Sequence, residues 1–136
     1  MKKLLILGAG GHGRVVAEIA KAIGSYSLIS FLDDSYVPDS NEVIIGKLSD
    51  VESFYDMYDD AFVALGNCDF RQHWMGKLYS LGYNLPVLVH PDAYISSSSV
   101  IESGSVVMQG AVIQCGAKLG KGCIVSSNAI VDHDAT

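Results

Sequence analysis

Residues 95–136 read, in blocks of six, ISSSSV, IESGSV, VMQGAV, IQCGAK, LGKGCI, VSSNAI and VDHDAT. The first position is Ile95, Ile101, Val107, Ile113, Leu119, Val125 and Val131, aliphatic in all seven blocks. The fifth is Ser99, Ser105, Ala111, Ala117, Cys123, Ala129 and Ala135, always small. The fourth is glycine at 104, 110, 116 and 122, then Asn128 and Asp134. Glycine, Asn and Asp are the residues that tolerate a left-handed turn. Short strands wound into a parallel β-helix need this pattern, with aliphatic side chains stacked inside and tight corners between them. Ile, Leu and Val together make roughly one residue in four or five, so seven matches in seven are on the order of one chance in 10⁴ to 10⁵, before the choice of frame. Three hexads per turn form the usual triangular coil, so seven hexads give two and a third turns. The pattern stops uncapped at Ala135-Thr136, whereas terminal repeats normally carry a polar cap. The expectation is therefore a fragment, or a chain whose remaining coils were lost. Cys115 and Cys123 read as small fillers within the repeat.

Upstream the periodicity changes. Residues 2–7 (KKLLIL) are a continuous apolar run, as in a strand buried on both faces. Gly8-Ala9-Gly10-Gly11-His12-Gly13 follows, then Val15, Val16, Ile19, Ala20 and Ile23 at helical spacing, with Gly24 placed to end the helix. Leu28–Leu32 predicts a second strand ending in Asp33-Asp34, and Val43–Ile45 a short edge strand. Val51, Phe54 and Tyr55 suggest a short helix, and Ala61–Leu65 a core strand ending in Gly66-Asn67. Phe70, Trp74 and Leu78 mark another helix, and Val87–Val89 a last strand broken by His90-Pro91. Strands alternating with helices imply a parallel, right-handed βαβ sheet whose ligands bind at the carboxyl ends of the strands. Gly10–Gly13, Asp33-Asp34 and Gly66-Asn67 all fall at those ends, so three loops distant in sequence should converge on one crevice. The expected fold is thus α/β: a small Rossmann-like parallel-sheet domain over residues 1–90, then the start of a left-handed hexapeptide β-helix over 91–136.

Gly8-x-Gly10-x-x-Gly13 matches a dinucleotide fingerprint, and Asp33 lies 20 residues beyond Gly13, where a ribose-binding acid belongs. The same glycines also suit a plain strand–helix turn. Some 90 residues supply little more than one mononucleotide half, so a mononucleotide or nucleotide-sugar fits the space better than a dinucleotide. His12 can contact a ligand or cap the helix. Arg71 can pair with a phosphate or lie on a solvated helix face. His73 and Trp74 read as a surface and core pair. Tyr55, Asp56, Tyr58, Asp59 and Asp60 read as an acidic, aromatic patch serving solubility. His133 is the third residue of its hexad, pointing out of the coil between Asp132 and Asp134; a carboxylate there can fix its tautomer and stabilise the imidazolium.

Composition narrows the classes. Hydrophobic residues make 49% and charged residues 18%, enough apolar surface for a folded core. A net charge of −6 argues against nucleic-acid and anionic-lipid partners. No run of about 20 apolar residues predicts a membrane span, and Leu4–Leu7 runs into glycines rather than a cleavage region, so a cytoplasmic location is expected. Three cysteines without paired short spacing argue against a disulfide scaffold or a zinc site.

The motifs Gly8–Arg14, Phe31-Leu32-Asp33-Asp34, Ala64-Leu65-Gly66-Asn67 with Arg71, Val89-His90-Pro91, and the hexads ending Asn128 to Asp134 together resemble the bacterial PglD/NeuD-type sugar acyltransferases. The resemblance covers essentially the whole chain, but the family continues for several more coils. It implies transfer of an acetyl group from acetyl-CoA to an amino or hydroxyl group of a nucleotide-linked amino sugar or sialic acid, in a homotrimer and without a metal. It implies that Gly10, Gly11, His12, Asp33, Asp34 and Gly66 line the nucleotide-sugar site. It further implies that His133 is the catalytic base, with Asp134 raising its basicity. Two other readings stand beside it. One is a non-catalytic nucleotide-binding module on a trimerising β-helix stem, which gives His133 no purpose. The other is an NAD-dependent oxidoreductase, which leaves the hexads unexplained.

Overall fold

Strand β1 (Lys2–Leu7) is the centre of a four-stranded sheet in a computed structural model that describes residues 1–40 and 43–136. Its residues Leu4–Leu7 are fully buried, as the unbroken apolar run requires of a strand covered on both faces. On one side β1 pairs in parallel with β2 (Tyr26–Leu32), which pairs with the edge strand β3 (Ile44–Gly46). On the other side it pairs in parallel with β4 (Asp60–Val63), giving the order β3-β2-β1-β4. Helix α1 (Gly11–Ile23) buries Val16, Ala17, Ile19 and Ala20 and ends at Gly24, φ 81°. Val15, expected on that buried face, is exposed. Residues Leu48–Met57 form a 3₁₀ helix, and α2 (Cys68–Leu81) follows β4. In α2 the buried residues are Met75 and Leu78, with Trp74 packed against the core, whereas Phe70 is exposed.

The expected acidic patch is not a purely solvated one. Asp60 is only 2% exposed. Its carboxylate accepts from the Tyr26 hydroxyl (2.6 Å) and from Asn84 Nδ2 (2.7 Å), and Lys2 Nζ lies 3.8 Å away. A buried charge needs such partners. Tyr58 is also buried and donates to Ser30 Oγ at 2.7 Å. Asp60 opens β4, and that topology carries it indoors.

From Pro86 to Thr136 the chain forms a second compact unit, the first being Met1–Leu85. Eight two-residue strands, β5 (Leu88–Val89), β6 (Tyr94–Ile95), β7 (Val100–Ile101), β8 (Val106–Val107), β9 (Val112–Ile113), β10 (Lys118–Leu119), β11 (Ile124–Val125) and β12 (Ile130–Val131), pair in parallel at a spacing of 18 residues. The columns are β5-β8-β11, β6-β9-β12 and β7-β10, three strands to a coil. First-position Val107, Ile113 and Val125 are buried, with Ile95, Ile101, Leu119 and Val131 packed on them, and fifth-position Ala111 and Ala117 are fully buried between. The short parallel strands and this inward stack are those of a β-helix.

Val87–Val89, expected to close the first sheet, instead starts the coil: Leu88 pairs with Val106 and Val89 with Val107. The signal was present, since Val89 lies six residues before Ile95 and Ala93 holds the small fifth position of that block. Cys123 is part-buried as a filler, but Cys115 occupies an outward third position and is exposed. The six corners Gly104, Gly110, Gly116, Gly122, Asn128 and Asp134 all take left-handed backbone, φ 59° to 77°.

Candidate functional site

The three loops do converge. The amide of Gly8 donates to Leu32 O (2.9 Å) and that of Ala64 to Leu7 O (2.8 Å), so the ends of β1, β2 and β4 lie side by side. Two of the fingerprint glycines serve this closeness. Gly8 has φ 107°, and a Cβ on it would stand 2.8 Å from Ala64 O. A Cβ on Gly13 would overlap Gly8 O. Gly10, Gly11 and Gly66 differ, because a Cβ on any of them meets nothing within 4 Å. They are exposed and border open space. Gly10 caps α1 with no side-chain bond, which leaves N–H groups of the first turn unsatisfied by side chains.

Asp33 stands where the spacing put it, beside the glycine loop. Its Oδ2 accepts from the Ala9 amide (2.8 Å) and its Oδ1 from the Ser35 amide (2.9 Å). Burial pushes its carboxyl up, but the bonds from Ala9 and Ser35 outweigh this and hold it below its ordinary value. Asp33 therefore clasps the glycine loop to the end of β2. Asp34 is exposed and accepts from the Leu48 amide at 3.2 Å.

His12 does not cap α1. Its Nε2 is shielded from solvent and has no hydrogen-bond partner. Burial, and then the charge of Arg71, lower its pKa, so the imidazole is held neutral. Arg71 lies in the first turn of α2, and its Nη1 donates to Leu65 O (3.1 Å) and Gly66 O (3.3 Å). Arg71 is half-buried, and these bonds tie the β4–α2 loop. Asn67 Oδ1 accepts from the Phe70 amide (2.9 Å), capping that helix.

In the second unit His133 is exposed, as its third position requires. Its Nδ1 lies 3.1 Å from Asp134 Oδ2. With Nδ1–H donating to that carboxylate, Nε2 carries the lone pair and is the basic atom. Among the described residues no group of three or more His, Cys, Asp or Glu is arranged to hold a metal ion, and no helix is long and apolar enough to cross a membrane.

Known proteins share this fold. The chain is 33% identical over 104 residues to the UDP-N-acetylbacillosamine N-acetyltransferase of Bacillus subtilis, covering 74% of this chain and 48% of that protein. It thus spans about half the length of this curated relative. The acetyltransferase domain of PglB from Neisseria gonorrhoeae, solved with acetyl coenzyme A, matches with TM-score 0.90 and 46% identity over 98% of this chain and 65% of that one. PerB from Caulobacter crescentus, solved with CoA and GDP-perosamine, matches with TM-score 0.89 and 29% identity over 98% and 64%. The family model of the PglD N-terminal domain matches residues 3–78, more than half of the chain and all of the converging loops, and the chain belongs to that family.

Proposed function

We propose that this chain is part of an acetyl-CoA-dependent acetyltransferase acting on an amino or hydroxyl group of a nucleotide-linked amino sugar or sialic acid. Its relatives include sugar N-acetyltransferases and proteins solved with acetyl coenzyme A, CoA and GDP-perosamine. The observation that carries the chemistry is the His133 Nδ1 to Asp134 Oδ2 pairing at 3.1 Å. In the proposed step the acceptor nitrogen or oxygen attacks the thioester carbonyl, its proton passes to His133 Nε2, and the carbon–sulfur bond breaks to release CoA. Backbone N–H groups near the coil corners are proposed to stabilise the oxyanion. Gly10, Gly11, His12, Asp33, Asp34 and Gly66 are proposed to hold the nucleotide-sugar. A neutral His12 with an unpartnered Nε2, and open space at three glycines, support that reading. The β-helix is proposed to be left-handed and the assembly a homotrimer, as the family resemblance implies, with the cytoplasmic location that the sequence reading expects.

The test is His133→Ala in the longest form of the protein that the gene encodes, assayed with acetyl-CoA and a panel of nucleotide-amino sugars. Removing a general base should cut turnover about 10²–10⁴-fold while nucleotide-sugar binding persists. Undiminished turnover overturns the catalytic role. Binding without acetyl transfer by the unaltered protein favours the binding-module reading.

A further inference from the structure

Residues 18 apart stack at the corners of the coil, and two of these stacks are built alike. A Cβ on Gly110 would overlap Asn128 Oδ1, and a Cβ on Gly116 would overlap Asp134 Oδ1. Asn128 and Asp134 hold φ 61° and 59°. Their amides donate to Gln109 O (3.1 Å) and Cys115 O (3.0 Å), one coil earlier. With backbone and amide held, each short side chain lies in the room that the glycine beneath it leaves. At Asp134 this seating of Oδ1 goes with Oδ2 standing 3.1 Å from His133 Nδ1.

We infer that Gly116 is a positioning residue: by carrying no side chain, it seats the Asp134 carboxylate so that the carboxylate holds Nδ1–H of His133 and leaves Nε2 as the outward lone pair. The importance of this for catalysis rests on the function proposed above, while the seat itself rests on the corner geometry alone. Gly116 touches neither the imidazole nor a substrate in this scheme. It acts one coil away, through Asp134. A second subset of the repeat's glycines is thereby set apart from those needed only for left-handed backbone, because Gly110 does the same for an asparagine with no histidine attached.

The experiment reads the tautomer of His133 by ¹⁵N NMR of the imidazole, at a pH where the ring is neutral. The unaltered chain should show predominantly the Nδ1–H form, and Asp134→Gly should return the ring to the balance of a free imidazole. Gly116→Ala should lose the Nδ1–H preference as fully as Asp134→Gly does. Gly110→Ala is the matched control, with φ 77° against 72° and an equivalent overlap with Asn128. It should lower the unfolding temperature comparably yet leave the His133 tautomer unchanged. Retention of the Nδ1–H form in Gly116→Ala overturns the inference. Should Gly116→Ala be too unstable to examine, the double variant with Asp134→Gly should recover most of the lost unfolding temperature, because the overlap is gone. Failure to recover also overturns it. Turnover in His133→Ala together with a tautomer change in Gly116→Ala would leave the seat standing and remove only its catalytic meaning.

Discussion

Glycine marks both halves of this chain, and the two patterns are built differently. In the loop after β1 the spacing is irregular, and two glycines are required by close approach: Gly13 against Gly8 O, and Gly8 against Ala64 O. Their neighbours Gly10 and Gly11 stand against open space. In the coil the glycines recur every six residues and supply left-handed corners, φ 69° to 77°. The first pattern clears a path for backbone and leaves room at a loop mouth. The second turns the chain and, at Gly110 and Gly116, also leaves room for a side chain one coil later. The lesson is that a glycine count says little until each Cα is asked what a methyl would strike.

The largest effect expected from this contrast is at Gly13. A methyl there meets backbone, which cannot swing aside, so Gly13→Ala should lose at least about 3 kcal/mol in urea unfolding. Gly11→Ala, which strikes nothing, should fall within about 0.5 kcal/mol of the unaltered chain. Equal losses at both positions would break the distinction.

The cores differ as well. Leu78 and Ile113 are each fully buried, and truncating either to Ala should cost about 3 kcal/mol. The consequences should spread differently. Leu78 sits in one cluster with residues of β1, β2 and β4, so Leu78→Ala should lower amide-exchange protection across that sheet. Ile113 stacks in a coil where its strand pairs with the strands one turn before and one turn after it. Ile113→Ala should therefore be felt first at Tyr94–Ile95 and Ile130–Val131. Uniform loss of protection over residues 86–136 would show that the coil behaves as one cooperative core.

The smallest effect sharpens the loop side of the comparison. Asp33 has a lowered pKa in the folded chain, so the folded state binds its proton less readily than the unfolded state does. Stability from Asp33 is then fully present above the ordinary carboxylate range and is lost as pH falls through the lowered folded value. Asp33→Asn keeps one acceptor but removes the charge. It should cost about 1 kcal/mol at pH 7, and the gap to the unaltered chain should close in acid. A gap that does not change with pH would mean that the two amide bonds owe nothing to the charge.

The two flagged histidines show how far residue type leads by itself. His12 lies between two glycines in the first turn of α1, and His133 between two aspartates in the turn after β12. One is a half-buried ring held neutral by burial and by Arg71, with an orphaned Nε2. The other is exposed, with a carboxylate on Nδ1. Position within the hexad foretold the exposure of His133, because third-position residues are exposed in six of the seven blocks, with Ser103 part-buried. For His12 the neighbouring charge comes from Arg71 of α2, some 60 residues along the chain.

By itself the sequence determined the alternation of strands and helices, the six-residue coil with its left-handed corners, and the meeting of three loops at one sheet edge. Each of these follows from a local rule repeated along the chain: an apolar period, a residue suited to positive φ, a strand end in a parallel sheet. Only the tertiary structure decided that Asp60 is indoors with Tyr26 and Asn84, that Arg71 turns back on its own loop, and that Gly116 makes room for Asp134. Most of these join residues 18 or more positions apart, where contact depends on how elements stack rather than on what neighbours in sequence prefer. Burial and close approach are properties of that stacking, and no local pattern encodes them.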